Sequence, residues 1–197
     1  DWNVSSAVNM SRMFNVARNF NQDLSSWNVS GVTTMESMFK EADSFNQDLS
    51  NWNTANVTNM KELFNRADIF NGDISTWDVS KVTNMQRIFS HAPNFDQDIS
   101  SWDVSALTNT SEMFLAATSF DQNISGWNVS NVVTMTNMFF ANVLSDTNKG
   151  LIHASFSPNE NWPYDWSEFV NTPPVFSSSA AVNAAENQTA AATVTAT

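Results

Sequence analysis

The sequence predicts an α/β solenoid: a stack of about six 25-residue units, each one short helix plus one or two short parallel strands, closed by a C-terminal cap. Three observations carry this. Trp recurs at Trp2, Trp27, Trp52, Trp77, Trp102 and Trp127, always 25 residues apart. The same step relates Phe14, Phe39, Phe64, Phe89, Phe114 and Phe139, and again Phe20, Phe45, Phe70, Phe95 and Phe120. Within each unit, a stretch of helical spacing is followed by one in which that spacing is lost.

The helix comes first. In the third unit Met60, Leu63, Phe64 and Ala67 fall at i, i+3, i+4 and i+7, one face of a short helix. Thr58 occupies the N-cap place, and in sister units the cap is followed three residues later by Glu or Gln, Thr33 to Glu36 and Thr83 to Gln86. After Ala67 comes Phe70-Asn71-Gly72-Asp73-Ile74-Ser75-Thr76-Trp77-Asp78-Val79, where β-branched and aromatic residues alternate with turn formers and the expectation is one or two very short strands. So small a unit can bury its apolar face only against its neighbours.

Residues 143–170 leave the period. Ser145-Asp146-Thr147-Asn148-Lys149 can start a helix running through Leu151 and Ile152, and Trp162, Tyr164 and Trp166 suit a segment that covers the last core layer. The expected division is a repeat region over 1–142, a cap over 143–170, and a linker with the first strands of a further domain over 171–197, where Thr172-Pro173-Pro174 forms a stiff hinge.

The repeated string Phe-Asn-Gln-Asp-Leu/Ile-Ser-x-Trp-Asn/Asp-Val-Ser-x-Val-Thr-x-Met-x-x-Met-Phe-x-x-Ala, present from Phe45 to Ala67 with Thr54 for Val and Leu63 for Met, resembles the BspA-like, leucine-rich-repeat type of bacterial surface protein. The resemblance covers roughly residues 1–142. It implies a leucine-rich-repeat-like curved fold, tandem units on exported bacterial proteins, and adhesion. Residues 171–197, with Asn171-Thr172-Pro173-Pro174-Val175-Phe176 and Ala192-Thr193-Val194-Thr195, are similar to the opening of a cadherin-like adhesin repeat. That resemblance implies a role for Glu186 in holding interdomain Ca²⁺.

Composition narrows the function. The net charge is −12, from 8 Lys plus Arg against 20 Asp plus Glu, which repels phosphate backbones and anionic membranes; nucleic acid is not an expected partner. There is no apolar run long enough for a membrane span and no basic-then-apolar leader, so no membrane insertion is expected of this segment, which reads as a monomeric part of a longer, extracellular or cell-surface chain. The chain has no Cys, and its two histidines, His91 and His153, lie in no catalytic motif; no nucleophile elbow or phosphate loop occurs. No enzyme and no obligate cofactor is expected.

Four sets of residues are candidates for more than packing. Asp23, Asp48, Asp73 and Asp98 form a row, followed by Asn123. Stacking would bring neighbouring carboxylates to about 5 Å, so they must be solvated, bonded to turn N–H groups, or neutralised by a cation such as Ca²⁺. The turn role is the first reading, because Asx turns place Asp there. Asn21, Asn46, Asn71, Asp96 and Asp121, with the neighbouring glutamines, could form amide ladders. Thr33, Thr58, Thr83 and Thr108 could present spaced hydroxyls to ice, although a cap role accounts for them. Finally, positions that vary between units carry whatever specificity exists: Lys40-Glu41, Asn65-Arg66, Ser90-His91 and Leu115-Ala116, and, just before each Trp, Ser26, Asn51, Thr76, Ser101 and Gly126. They suggest an interaction module for a protein or glycan partner; a rigid spacer is the alternative.

Overall fold

The computed structural model describes residues 2–170. The Glu186 site and the cadherin-like stretch lie outside the described residues.

The units do stack, but they are not built from helices and strands. Among the described residues the only α-helix is α1, Asp146–Phe156, followed by a single 3₁₀ turn, Ser167–Phe169. The expected helix over Met60–Ala67 is a chain of turns. Glu62 and Arg66 have φ of 56° and 58°, whereas a right-handed helix needs about −63°. Its amides divide between two directions. Leu63, Asn65 and Ala67 donate three residues back, to Met60, Glu62 and Phe64, while Met60, Glu62, Phe64 and Arg66 donate to carbonyls of the next unit, Asn84, Gln86, Ile88 and Ser90. A helix would keep all these bonds to itself; this backbone gives four of the seven to its neighbour. The same pair of left-handed positions recurs in every unit, from Arg12 and Val16 to Asn137 and Ala141.

The expected strands are also absent. Parallel pairing is reduced to one residue per unit, a file of isolated bridges linking Asn9, Thr34, Asn59, Asn84, Asn109 and Thr134. Over residues 70–79 side chains take the place of a backbone ladder. Asn71 N–H donates to Asn46 Oδ1 at 2.7 Å, Asp96 N–H to Asn71 Oδ1 at 2.9 Å, and Gln97 Nε2 to the same Asn71 Oδ1 at 3.0 Å. The leucine-rich-repeat-like α/β solenoid is therefore corrected to a stack of turn-built coils.

Packing follows the periodic residues. Met60, Leu63, Phe64, Ala67 and Phe70 are fully buried. Phe64 lies 3.8 Å from Phe70 within its coil and 5.9 Å from Phe89 in the next, nearly coplanar; Trp77 and Trp102 stack at 6.5 Å. Each ring covers its counterpart, which is why the period holds so strictly. The tryptophans also tie coils together: Trp77 Nε1 donates to Leu49 carbonyl at 2.9 Å, and Trp52, Trp102 and Trp127 repeat the bond to Leu24, Ile74 and Ile99. Where a polar residue interrupts an apolar file it finds a partner, Thr54 Oγ1 on Asp78 carbonyl and Thr110 Oγ1 on Thr134 carbonyl.

The two ends differ. At the first coil Trp2 is 65% exposed, and a cleft opens among Trp2, Phe14, Phe20 and Trp27. At the other end α1 closes the stack. Its N-cap Ser145 donates N–H to Asp121 Oδ1 at 2.8 Å, and Asn148 Nδ2 bonds the same oxygen, so together they reproduce the amide ladder of the preceding coils. Tyr164 Oη accepts Phe139 N–H at 2.7 Å, where a further coil would offer a carbonyl. Trp162, Tyr164 and Trp166 surround Phe139, and His153 Nδ1 accepts from Trp162 Nε1 at 3.0 Å.

Candidate functional site

The aspartate row sits in Asx turns. Asp23, Asp48, Asp73 and Asp98 each accept the N–H of the serine two residues on, at 2.8 to 2.9 Å, and Asn123 does the same with Ser125 at 3.0 Å. Hydrogen bonds from Ser25, Ser50 and Ser100 hold the Asp23, Asp48 and Asp98 carboxyls below their ordinary range. A second file escaped the sequence reading: Asn28, Asn53, Asp78, Asp103 and Asn128 make the same turn five residues later. Among the described residues no group of three or more acidic, His or Cys side chains converges as a metal site.

The threonine row has no helices to cap. Thr58, Thr83 and Thr108 donate both N–H and Oγ1–H to the carbonyl of the threonine one coil earlier, as Thr33 does to Val8. The row is exposed, but its hydroxyl protons are committed along the stack.

The variable pairs converge. Lys40, Glu41, Asn65, Arg66, Ser90 and His91 all line one depression of about 430 Å³, together with Glu62, Arg87 and Glu112. The left-handed turns place them there. Glu41, Arg66 and His91 are the second left-handed residue of consecutive coils, and their amides bond to Asn65, Ser90 and Leu115 carbonyls at 2.7 to 2.9 Å, so the pairs form two continuous files along the stack.

An ion ladder forms the floor. Lys40 Nζ lies 2.6 Å from Glu62 Oε2, and Arg87 bridges from Glu62, at 3.8 Å, to a two-pronged contact on Glu112 at 2.8 and 2.9 Å. Burial pushes the Glu62 carboxyl up, but the bond and charge of Lys40, with Lys61 and Arg87, outweigh it and hold the group below its ordinary range. Arg87's hydrogen bond lowers Glu112. At the rim Arg18 pairs with Glu41 and Asp43, both at 2.7 Å. Glu62, Arg87 and Glu112 were not singled out from the sequence, although they share one register and alternate in sign.

The same two files end differently. Past His91 they continue as Leu115-Ala116 and Phe140-Ala141, with Ala116 N–H on Phe140 carbonyl at 2.9 Å. Phe140 is 60% exposed, and Val143, just beyond, 61%. The face therefore runs from ionic to apolar along its length.

Comparison with known proteins gives a family and little more. No curated protein and no solved structure matches the chain. No helix among the described residues is long and apolar enough to cross a membrane. A family model does match, twice, over residues 1–69 and 48–151. With the coils and the start of α1 falling inside those two matches, the chain belongs to the repeat family described as Mycoplasma protein of unknown function, DUF285.

Proposed function

We propose that this chain is an extracellular interaction module, a repeat segment of a bacterial surface protein of the BspA-like kind, that binds a protein or glycan through the face built from its variable pairs. The carrying observation is that three of the variable pairs, Lys40-Glu41, Asn65-Arg66 and Ser90-His91, line one depression, while the constant positions are consumed in rungs, turns and the core. A stack whose coils touch only their neighbours offers a long surface that can change residue by residue without disturbing the fold. No nucleophile, general base or metal cluster is needed for this role.

The experiment is adhesion of beads coated with the folded chain to immobilised extracellular-matrix proteins and a glycan panel, alongside beads carrying Arg66→Glu. Binding that the substitution weakens supports the module. Binding equal for both proteins puts the contact on another face and overturns this site; no binding supports the spacer reading, in which the stack only holds another domain at a distance.

A further inference from the structure

The two files of variable residues specify more than a general surface, and they do so by which groups are left unspent. Along the ionic part, Lys40, Glu62, Arg87 and Glu112 satisfy one another, and Arg18 satisfies Glu41 and Asp43. Arg66 is different. It is exposed, lies at the centre of this wall, and has no ion-pair partner among the described residues; Asp68, on the same rim, stands outside ion-pair distance. A guanidinium with free donors is suited to a two-pronged hold on a carboxylate. Farther along the same files Leu115 is half-buried and Phe140 stands out from the surface. An exposed aromatic at the end of an ordered file, with no ring stacked on it among the described residues, is suited to anchor an apolar side chain of a partner.

From these groups we infer that the face takes an extended peptide segment carrying a carboxylate side chain and, about four residues away, an aromatic or large aliphatic one. This rests on the interaction-module reading and names the partner within it. The spacing follows from the stack. Asn65-Arg66 and Phe140-Ala141 are three coils apart, and coils joined by single parallel bridges rise by about 4.8 Å each, about 14 Å in all. An extended chain advances about 3.3 to 3.4 Å per residue, so about four residues span the gap. Residues four apart in an extended segment also point to the same side. The carboxylate meets Arg66, with His91 beside it, and the apolar side chain lies over Leu115 and Phe140.

The test is an array of immobilised peptides of about nine residues in a Gly-Ser background, with Glu and Phe separated by zero to six residues, read against the full chain. The expected signal peaks where three residues intervene. It falls at least about tenfold with Arg66→Glu or Phe140→Ser, and is unchanged by Lys81→Glu, which alters charge on a different file. Replacing Glu by Lys in the peptide abolishes it. A profile indifferent to spacing, or one that Arg66→Glu leaves unchanged, overturns the proposal. If the array is blank while Arg66→Glu still weakens adhesion to the folded-protein and glycan panel, the peptide assignment fails and the module stands; if both are blank, both fail.

Discussion

Replacing Ala116 and Ala141 by glycine should stabilise this protein, although the same change in a helix is destabilising. Both alanines hold left-handed backbone, at φ of 54° and 56°. There a Cβ crowds the following carbonyl and costs roughly 1–2 kcal/mol per residue. Glycine removes that cost but enlarges the unfolded ensemble by about 0.5–1 kcal/mol. Little packing is lost, since Ala141 is exposed and Ala116 only half-buried. The net gain is about 0.5–1 kcal/mol per site; because Ala116 N–H bonds the carbonyl of Phe140, next to Ala141, the two sites are coupled and the pair is read with each single variant beside it. Were these residues helical, the pair would instead lose about 2 kcal/mol. Denaturant unfolding of the double variant, with Ala117→Gly as the buried control that should lose stability, decides between the two signs. A lower midpoint for A116G/A141G at unchanged m-value would refute the turn-built coil.

Three further outcomes follow from the packing, the charges and the cap. A Cβ at Gly72 would lie 2.0 Å from Gln47 carbonyl oxygen, while one at Gly126 meets nothing within 4 Å, so Gly72→Ala should lower the melting temperature and Gly126→Ala leave it nearly unchanged. Glu62, Glu112, Asp48, Asp78 and Asp98 titrate below their unfolded values, so the stability they supply is present above about pH 4 and is lost as pH falls through the folded values. Unfolding midpoints measured in high salt, which screens the general repulsion of an acidic chain, should drop on acidification, and less steeply in Arg87→Gln; a parallel slope would refute the ion ladder's role. Tyr164→Phe leaves Phe139 N–H without its acceptor and should cost about 1–3 kcal/mol in equilibrium unfolding; a neutral result would show that the phenol does not complete the last rung.

Much of the stack was legible in the sequence. The 25-residue step identified the Trp, Phe and Met files, and these are the buried core. The cap's helix start at Ser145 and its aromatic cover were legible from a cap residue and a broken period. The backbone was not. A spacing of i, i+3, i+4 and i+7 also results from turns that return every third residue, because Met60, Leu63, Phe64 and Ala67 face inward in either geometry. Glycine would have signalled the left-handed positions, but most are held by residues such as Val16, Glu62 and Arg66, and only His91 and Asn137 are of types that favour that conformation. What imposes it is the neighbouring coil, whose carbonyls lie at the pitch that alternate amides require. The variable pairs were found because they vary; the ion ladder beneath them was not, since it crosses files, Lys40 of one register pairing with Glu62 of another, and that contact exists only once the coils are stacked.

The direction of the rungs has a mechanical consequence. The chain enters at one end of the pile and leaves at the other, so tension applied between its termini is borne by the inter-coil bonds in sequence, not all at once. Each coil that peels away releases 25 residues, about 85 Å of extended chain, in place of a layer about 5 Å thick. Stretched by its ends, the stack should lengthen in equal steps of about 80 Å, one per coil, so that load limits its extension before any single layer is driven to break the rest.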